Sequence, residues 1–180
     1  MSDNWPTAYV IDARIATSYH NNNKKNVLLI GKGKTFLKFG RKYGINPGFI
    51  VALMQKESQL GADGSFLTHY YNFAGITDPY GIRSTCPPVT YKNRQWACFV
   101  TIDEAIEAVF RVIDQPNYRN SDGTVLGITN IYSPSFENNT NEMLKIIEIV
   151  GRQLNIHLKP ETQIYGNKSL VSKVVSRFKK

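Results

Sequence analysis

Glu57 stands where the pattern around it asks for an aliphatic residue. Ile50, Leu53 and Met54 fall at i, i+3 and i+4 of one helical face, and the i+7 position that would complete the apolar stripe is this carboxylate. The expected address is a buried edge, where desolvation and the negative partial charge of a helix C-terminus both disfavour the ionised form. A carboxyl that keeps its proton near neutral pH can pass it to a leaving-group oxygen, which is what the general acid of a glycosidase does. The competing reading is a Glu at a helix end paired with a Lys or Arg, although the neighbouring Lys56 points to another side of the helix.

The element that must position Glu57 is marked at both ends. Asn46 is a good N-cap, Pro47 fits the first helical turn, and Gly61 follows the last periodic residue, so the sequence predicts a helix over about 47–60. After it come Glu57-Ser58-x-Leu60-Gly61, a short loop, and Tyr71-Asn72-Phe73-Ala74-Gly75-Ile76. This order and spacing resembles the autolysin-type endo-β-N-acetylglucosaminidases of bacteria and phages, in the lysozyme-like superfamily. That family's pattern is a Glu-Ser pair closing a helix, then Asn-Asn, an apolar residue, an aromatic residue and Gly-Ile. Tyr71 replaces the first Asn here, and Ala74 replaces the aromatic residue. The resemblance continues through Pro116-x-Tyr118 and Tyr132-Ser133-Pro134 followed by Glu137-Asn138-Asn139-Thr140, to about Leu154.

The resemblance implies a mainly α (α+β) lysozyme-like fold, a helical core with a small β-hairpin lobe as one wall of a substrate cleft. It implies cleavage of the β-1,4 bonds of peptidoglycan with Glu57 as general acid, and substrate contacts from Tyr71, Asn72, Gly75, Ile76 and Tyr132. Muramidases and lytic transglycosylases of the same superfamily are the nearest alternatives. A non-catalytic wall-binding or phage and secretion structural role is a further one.

A second carboxylate is harder to find. Glycosidases usually pair the acid with another carboxylate, about 5 Å away for a covalent path and farther for a water-mediated one. The family takes it from the β lobe, and between Ile76 and Thr101 the sole acidic residue is Asp78, sooner after Gly-Ile than is usual there. Two routes stay open: Asp78 assists, or the substrate's own 2-acetamido group does.

Composition bounds the rest. With 180 residues, 42% hydrophobic and 12% aromatic, the chain can bury one sizeable core. Residues 27–180 are expected as a single domain after an Asn-rich arm over 1–26, and a monomer is expected. No apolar run approaches a membrane span, and no basic segment followed by an apolar one heads the sequence. Delivery as a phage lysin, virion or secretion component is therefore expected. The net charge of +8 suits a polyanionic cell wall as well as a nucleic acid, but no nucleic-acid module is present and no such partner is expected.

Along the chain, Gly31-Lys32-Gly33-Lys34-Thr35 lacks the spacing of a phosphate loop; it reads as the entrance to a helix with Phe36, Leu37 and Phe39 inward and Gly44 at its end. Residues 77–100, rich in Thr, Pro, Tyr and Val, are the β-like segment, where Tyr80, Tyr91 and Trp96 either offer flat faces to sugar rings or cover the lobe's own core. Cys86 and Cys98 would lie opposite each other in a hairpin turning at 92–94, either bridged or as two free thiols. Thr101 to Glu104 is a capping box for a helix with Ile102, Ile106, Val109, Phe110 and Ile113 inward, and residues 117–138 read as loop-rich. A helix capped by Asn139 and Glu142 buries Met143, Ile146, Ile147, Val150 and Leu154. Residues 155–180 form a helical extension ending in an amphipathic segment. His20, His69 and His157 have no metal-ligand spacing, so neither metal nor cofactor is expected.

Overall fold

Phe49, Ile50, Val51, Ala52, Leu53 and Met54 have no solvent exposure at all. Six successive buried positions cover every side of a helix, so this element runs through the middle of the core rather than along its edge. The computed structural model describes residues 5–21, 28–62, 65–78, 81, 83–132 and 140–166. In chain order its elements are α1 (Ala8–Asn21), α2 (Gly33–Tyr43), the central α3 (Pro47–Ser58), two 3₁₀ turns at Gln59–Gly61 and Phe66–Tyr70, the strands β1 (Cys86–Tyr91) and β2 (Arg94–Cys98), α4 (Ile102–Ile113), the single turn α5 (Pro116–Arg119), α6 (Val125–Tyr132) and α7 (Thr140–Gln153).

Helices α2 and α7 pack on α3, α4 packs on α2, and α6 packs on α7. The start of α3 follows from its sequence: Asn46 Oδ1 accepts the Gly48 N–H at 2.9 Å behind Pro47. Its end, at Ser58, comes three residues before Gly61. Gln59, Leu60 and Gly61 all have positive φ, at 50°, 59° and 82°. Ser58 holds this turn, donating to the Met54 carbonyl and accepting the Gly61 N–H, and the Tyr19 hydroxyl donates to the Leu60 carbonyl at 2.5 Å.

The capping box on α4 forms in both directions, Glu104 N–H to Thr101 Oγ1 at 3.2 Å and Thr101 N–H to Glu104 Oε2 at 2.9 Å. The hairpin pairs Tyr91 with Arg94, Thr90 with Gln95 and Val89 with Trp96. It turns on Lys92 and Asn93, both at positive φ, the two-residue turn whose twist suits paired strands. Cys86 and Cys98 are disulfide-bonded, with Cα atoms 5.2 Å apart, which closes the hairpin's open end.

Three segments differ from expectation. The first is the arm over 1–26, of which residues 8–21 are α1, with Ile11, Ile15 and Tyr19 buried at i, i+4 and i+8 and Asp12 accepting the Gly33 N–H at 2.7 Å. Gly33 has to be glycine there, because a Cβ would meet the Ala8 carbonyl oxygen at 2.2 Å. Within 117–138, expected as loop, Asp122 accepts from the Thr124 N–H and hydroxyl and so starts α6. The described part of the expected helical extension, residues 155–166, is irregular: it buries Ile156, Leu158 and Ile164 and closes on α3 through the Asn46 N–H to the Ile164 carbonyl. Tyr80, Ser133 to Asn139 and the amphipathic segment after Gly166 lie outside the described residues. No described helix is long and apolar enough to cross a membrane.

Candidate active site

The last turn of α3 opens into a cleft of about 480 Å³. Glu57 and Ser58 line it from the helix. Ala74, Gly75, Ile76 and Thr77 line it from the loop after the second 3₁₀ turn, Trp96 from β2, and Tyr118 and Tyr132 from the helical side. Glu57 is therefore not buried, as its place in the α3 stripe implies, but exposed to the solvent of the cleft. The protein around it still raises the proton affinity of its carboxyl above the ordinary Glu value, by desolvation, while the charge of Lys56 acts the other way. Lys56 faces α7, with Nζ 4.0 Å from Glu142 Oε2, and among the described residues no cation forms an ion pair with Glu57.

Gly75 sets the distance across the site. A methyl group on its Cα would stand 3.8 Å from Glu57 Oε2 and 3.8 Å from Trp96 Cζ3, so the bare backbone leaves a slot between the carboxyl and the indole. The loop bearing Gly75 is held from both sides. Asn72 Nδ2 donates to the carbonyls of Ile76 at 2.9 Å and Ala97 at 3.1 Å, while Asn72 Oδ1 accepts the Ile76 N–H at 2.8 Å. The Tyr132 hydroxyl donates to the Ala74 carbonyl at 2.6 Å. Burial first, then the nearby Glu57, raise the pKa of that phenol far above its ordinary value, so it remains a neutral donor.

The other anticipated residues lie elsewhere. Asp78 is buried and does not line the cleft; its Oδ2 accepts from the Arg83 N–H (3.0 Å), the Ser84 N–H (2.7 Å) and the Ser84 hydroxyl (2.6 Å), tying Arg83 and Ser84 to Asp78. Tyr71 lines a separate hollow with Lys32 and residues 100–103. Its φ of 54° is a conformation that the family's Asn adopts more readily than Tyr. The ring of Tyr91 stacks on Phe66 at 4.6 Å, and its carbonyl accepts the Trp96 indole N–H at 2.9 Å, so Tyr91 supports Trp96 from outside the cleft.

Arg83, Arg94, Ser65, Leu67 and Val112 also line the cleft and were not anticipated. Periodicity carries no signal for the first four, because loops, a 3₁₀ turn and the hairpin turn bring them in, and Val112 lies on α4 outside its expected inward stripe; Tyr118 had one signal, the Pro116-x-Tyr118 ending. Among the described residues no group of three His, Cys, Asp or Glu is arranged to hold a metal ion.

The family model described as mannosyl-glycoprotein endo-β-N-acetylglucosaminidase matches residues 33–153, from the first residue of α2 to the last of α7. The chain belongs to the glucosaminidase family. It is thus a glycoside hydrolase. The catalytic domain of the autolysin Auto from Listeria monocytogenes has a similar fold, with a TM-score of 0.50 and 15% sequence identity over 79% of this chain and 85% of that one. No curated protein sequence matches the enzyme. The matched region includes Glu57, both strands and the three cleft-lining helices α4, α5 and α6, and leaves out α1.

Proposed function

We infer that this glucosaminidase hydrolyses peptidoglycan, cutting the β-1,4 bond on the reducing side of N-acetylglucosamine with Glu57 as general acid. One observation carries the reading: a carboxyl of raised proton affinity, with no paired cation among the described residues, sits at the mouth of a cleft opposite an indole face. Membership of the glucosaminidase family and the autolysin-like fold support the same substrate.

Glu57 gives its proton to the glycosidic oxygen as that bond breaks. The 2-acetamido carbonyl oxygen of the same sugar attacks C1 and forms an oxazolinium. Glu57, now a carboxylate, then takes a proton from the water that opens the ring at C1. This route asks for no second protein carboxylate. That suits Asp78, whose Oδ2 accepts from three donors away from the cleft. Asp78→Asn is accordingly expected to lower kcat by less than about tenfold, since the amide oxygen still accepts from the turn and forfeits the charge-assisted part of those bonds, about 1–2 kcal/mol seen in thermal unfolding. A loss of turnover as large as that of a Glu57 variant would make Asp78 the second catalytic carboxylate.

Mass spectrometry of the fragments released from purified walls tests the bond assignment. New reducing ends on N-acetylglucosamine are expected. Reducing N-acetylmuramic acid ends would reassign the enzyme as a muramidase, and 1,6-anhydromuramoyl ends as a transglycosylase. Equal clearing of wall suspensions by the native protein and by Glu57→Gln would favour a wall-binding role without cleavage.

A further inference from the structure

Arg83 and Val112 belong to two spaces at once. They line the cleft that holds Glu57, and they also line an adjoining annex of about 160 Å³ whose other walls are Ala108, Arg111 and Gln115. Liquid water occupies about 30 Å³ per molecule, so the annex has room for a substituent of several heavy atoms. It shares two wall residues with the cleft, so a branch of a glycan strand bound there has the annex within reach.

The annex is cationic. Among the described residues that line it, five in number, two are arginines and none is an acid. Arg83 is held in place: its N–H donates to Asp78 Oδ2 at 3.0 Å, its Nη1 donates to the Thr77 carbonyl at 2.9 Å, and its own carbonyl lies 3.4 Å from Arg111 Nη2. A guanidinium has five N–H donors, and among the described residues the Arg83 side chain spends one of them, on the Thr77 carbonyl. Glu107, the acid that acts electrostatically on Lys42 and Arg111 alike, is engaged by Lys42 Nζ and the Tyr43 hydroxyl.

We propose that the Arg83–Arg111 annex receives a carboxylate carried by the muramoyl residue of the strand lying in the cleft. This rests on the cell-wall reading given above, and it makes the enzyme select strands by side-chain charge as well as by ring. Two guanidinium forks match a carboxylate in shape and charge, and a strand of neutral N-acetylglucosamine alone would leave the annex empty. Two carboxylates on such a strand have this chemistry, that of the peptide stem and that of the lactyl ether exposed when the stem is removed. The buried Asp78 is then a positioning residue, holding the backbone of Arg83 and Ser84.

The test compares kcat/KM on four preparations: strands with stems and strands stripped of stems by an amidase, each native and with its carboxylates amidated. At least one native form is expected to be preferred about tenfold over its amidated partner, the scale of one charged hydrogen bond, and the pair that shows the preference identifies the carboxylate. Arg111→Gln and Arg83→Gln should each reduce the preference to below about threefold, whereas Lys145→Gln, which removes one charge from an exposed position on α7, should leave it intact. Equal rates on native and amidated strands in both pairs would overturn the proposal, as would a preference that survives both arginine substitutions or that Lys145→Gln abolishes equally. Turnover of the amidated strands upholds the glycosidase reading whichever way the preference falls. Absence of turnover on all four would overturn that reading, and affinity of the protein for the four strands would then decide the annex by the same comparison.

Discussion

Glu57→Gln is expected to reduce wall-hydrolysing activity by about 10² to 10⁴, the range for losing a general acid, while leaving the fold intact. Gln keeps the shape of the side chain and removes its proton. The pH behaviour follows from the direction of the shift. Desolvation raises the carboxyl's pKa in the folded protein, the general acid must be protonated to act, and activity should therefore fall as pH rises through a value above the ordinary Glu pKa of about 4.3. Residual activity of Glu57→Gln should lack this basic limb. The linkage to stability has the matching sign. The folded state binds this proton more tightly than the unfolded state, so its stabilising contribution is full below the ordinary pKa and is lost as pH rises through the raised one. At neutral pH, Glu57→Gln should thus unfold at the same temperature as the native protein or slightly higher. Near-native lysis by Glu57→Gln, with an unaltered pH profile, would remove Glu57 from the mechanism.

Asn72→Ala should have the largest effect on stability. Asn72 is 2% exposed and its amide completes three hydrogen bonds, two to carbonyls and one from an N–H, that fasten the Gly75 loop to itself and to β2. Truncation leaves those three backbone groups without this partner where water has little access, at about 1–3 kcal/mol each before relaxation. A loss of about 3 kcal/mol or more is expected, read as a fall of roughly 6–12 °C in Tm for a domain of this size. Activity at low temperature should fall too, because the slot between Glu57 and Trp96 is bounded by the same loop. A change in Tm of under about 2 °C would mean that the Tyr132 contact to Ala74 and the backbone bonds hold the loop without Asn72.

The sequence made the Glu57 end of the molecule legible because its signals there are local. An N-cap, a proline and an interrupted apolar stripe define α3 and pick out Glu57, and the capping box defines α4. The exposure of Glu57 was not legible. A stripe describes one face, whereas α3 is enclosed on every side up to Met54 and opens only at its last turn. Helix α1 was hidden for the opposite reason, since Ile11, Ile15 and Tyr19 are three widely spaced residues among polar neighbours and gain their meaning from Asp12 on Gly33 and Tyr19 on Leu60. Tyr91 resembled a ring platform by residue type alone and Tyr71 a substrate contact by its place in the family motif, and backbone geometry sends both away from the cleft. Arg83 depends on a backbone held by a buried carboxylate, which no periodicity announces.

The enclosure of α3 also governs how the two walls of the cleft fluctuate in time. Amides between Phe49 and Met54 have no local route to water, so their hydrogens exchange with solvent only when the whole domain opens. The facing wall is a two-stranded ribbon of six and five residues, a unit that is marginal by itself and that a disulfide fastens at one end. Its outer amides exchange through openings far more frequent than global unfolding. A bulky polymer is therefore admitted by breathing of the ribbon side, and Glu57 keeps its orientation throughout because it is anchored to the enclosed length of α3.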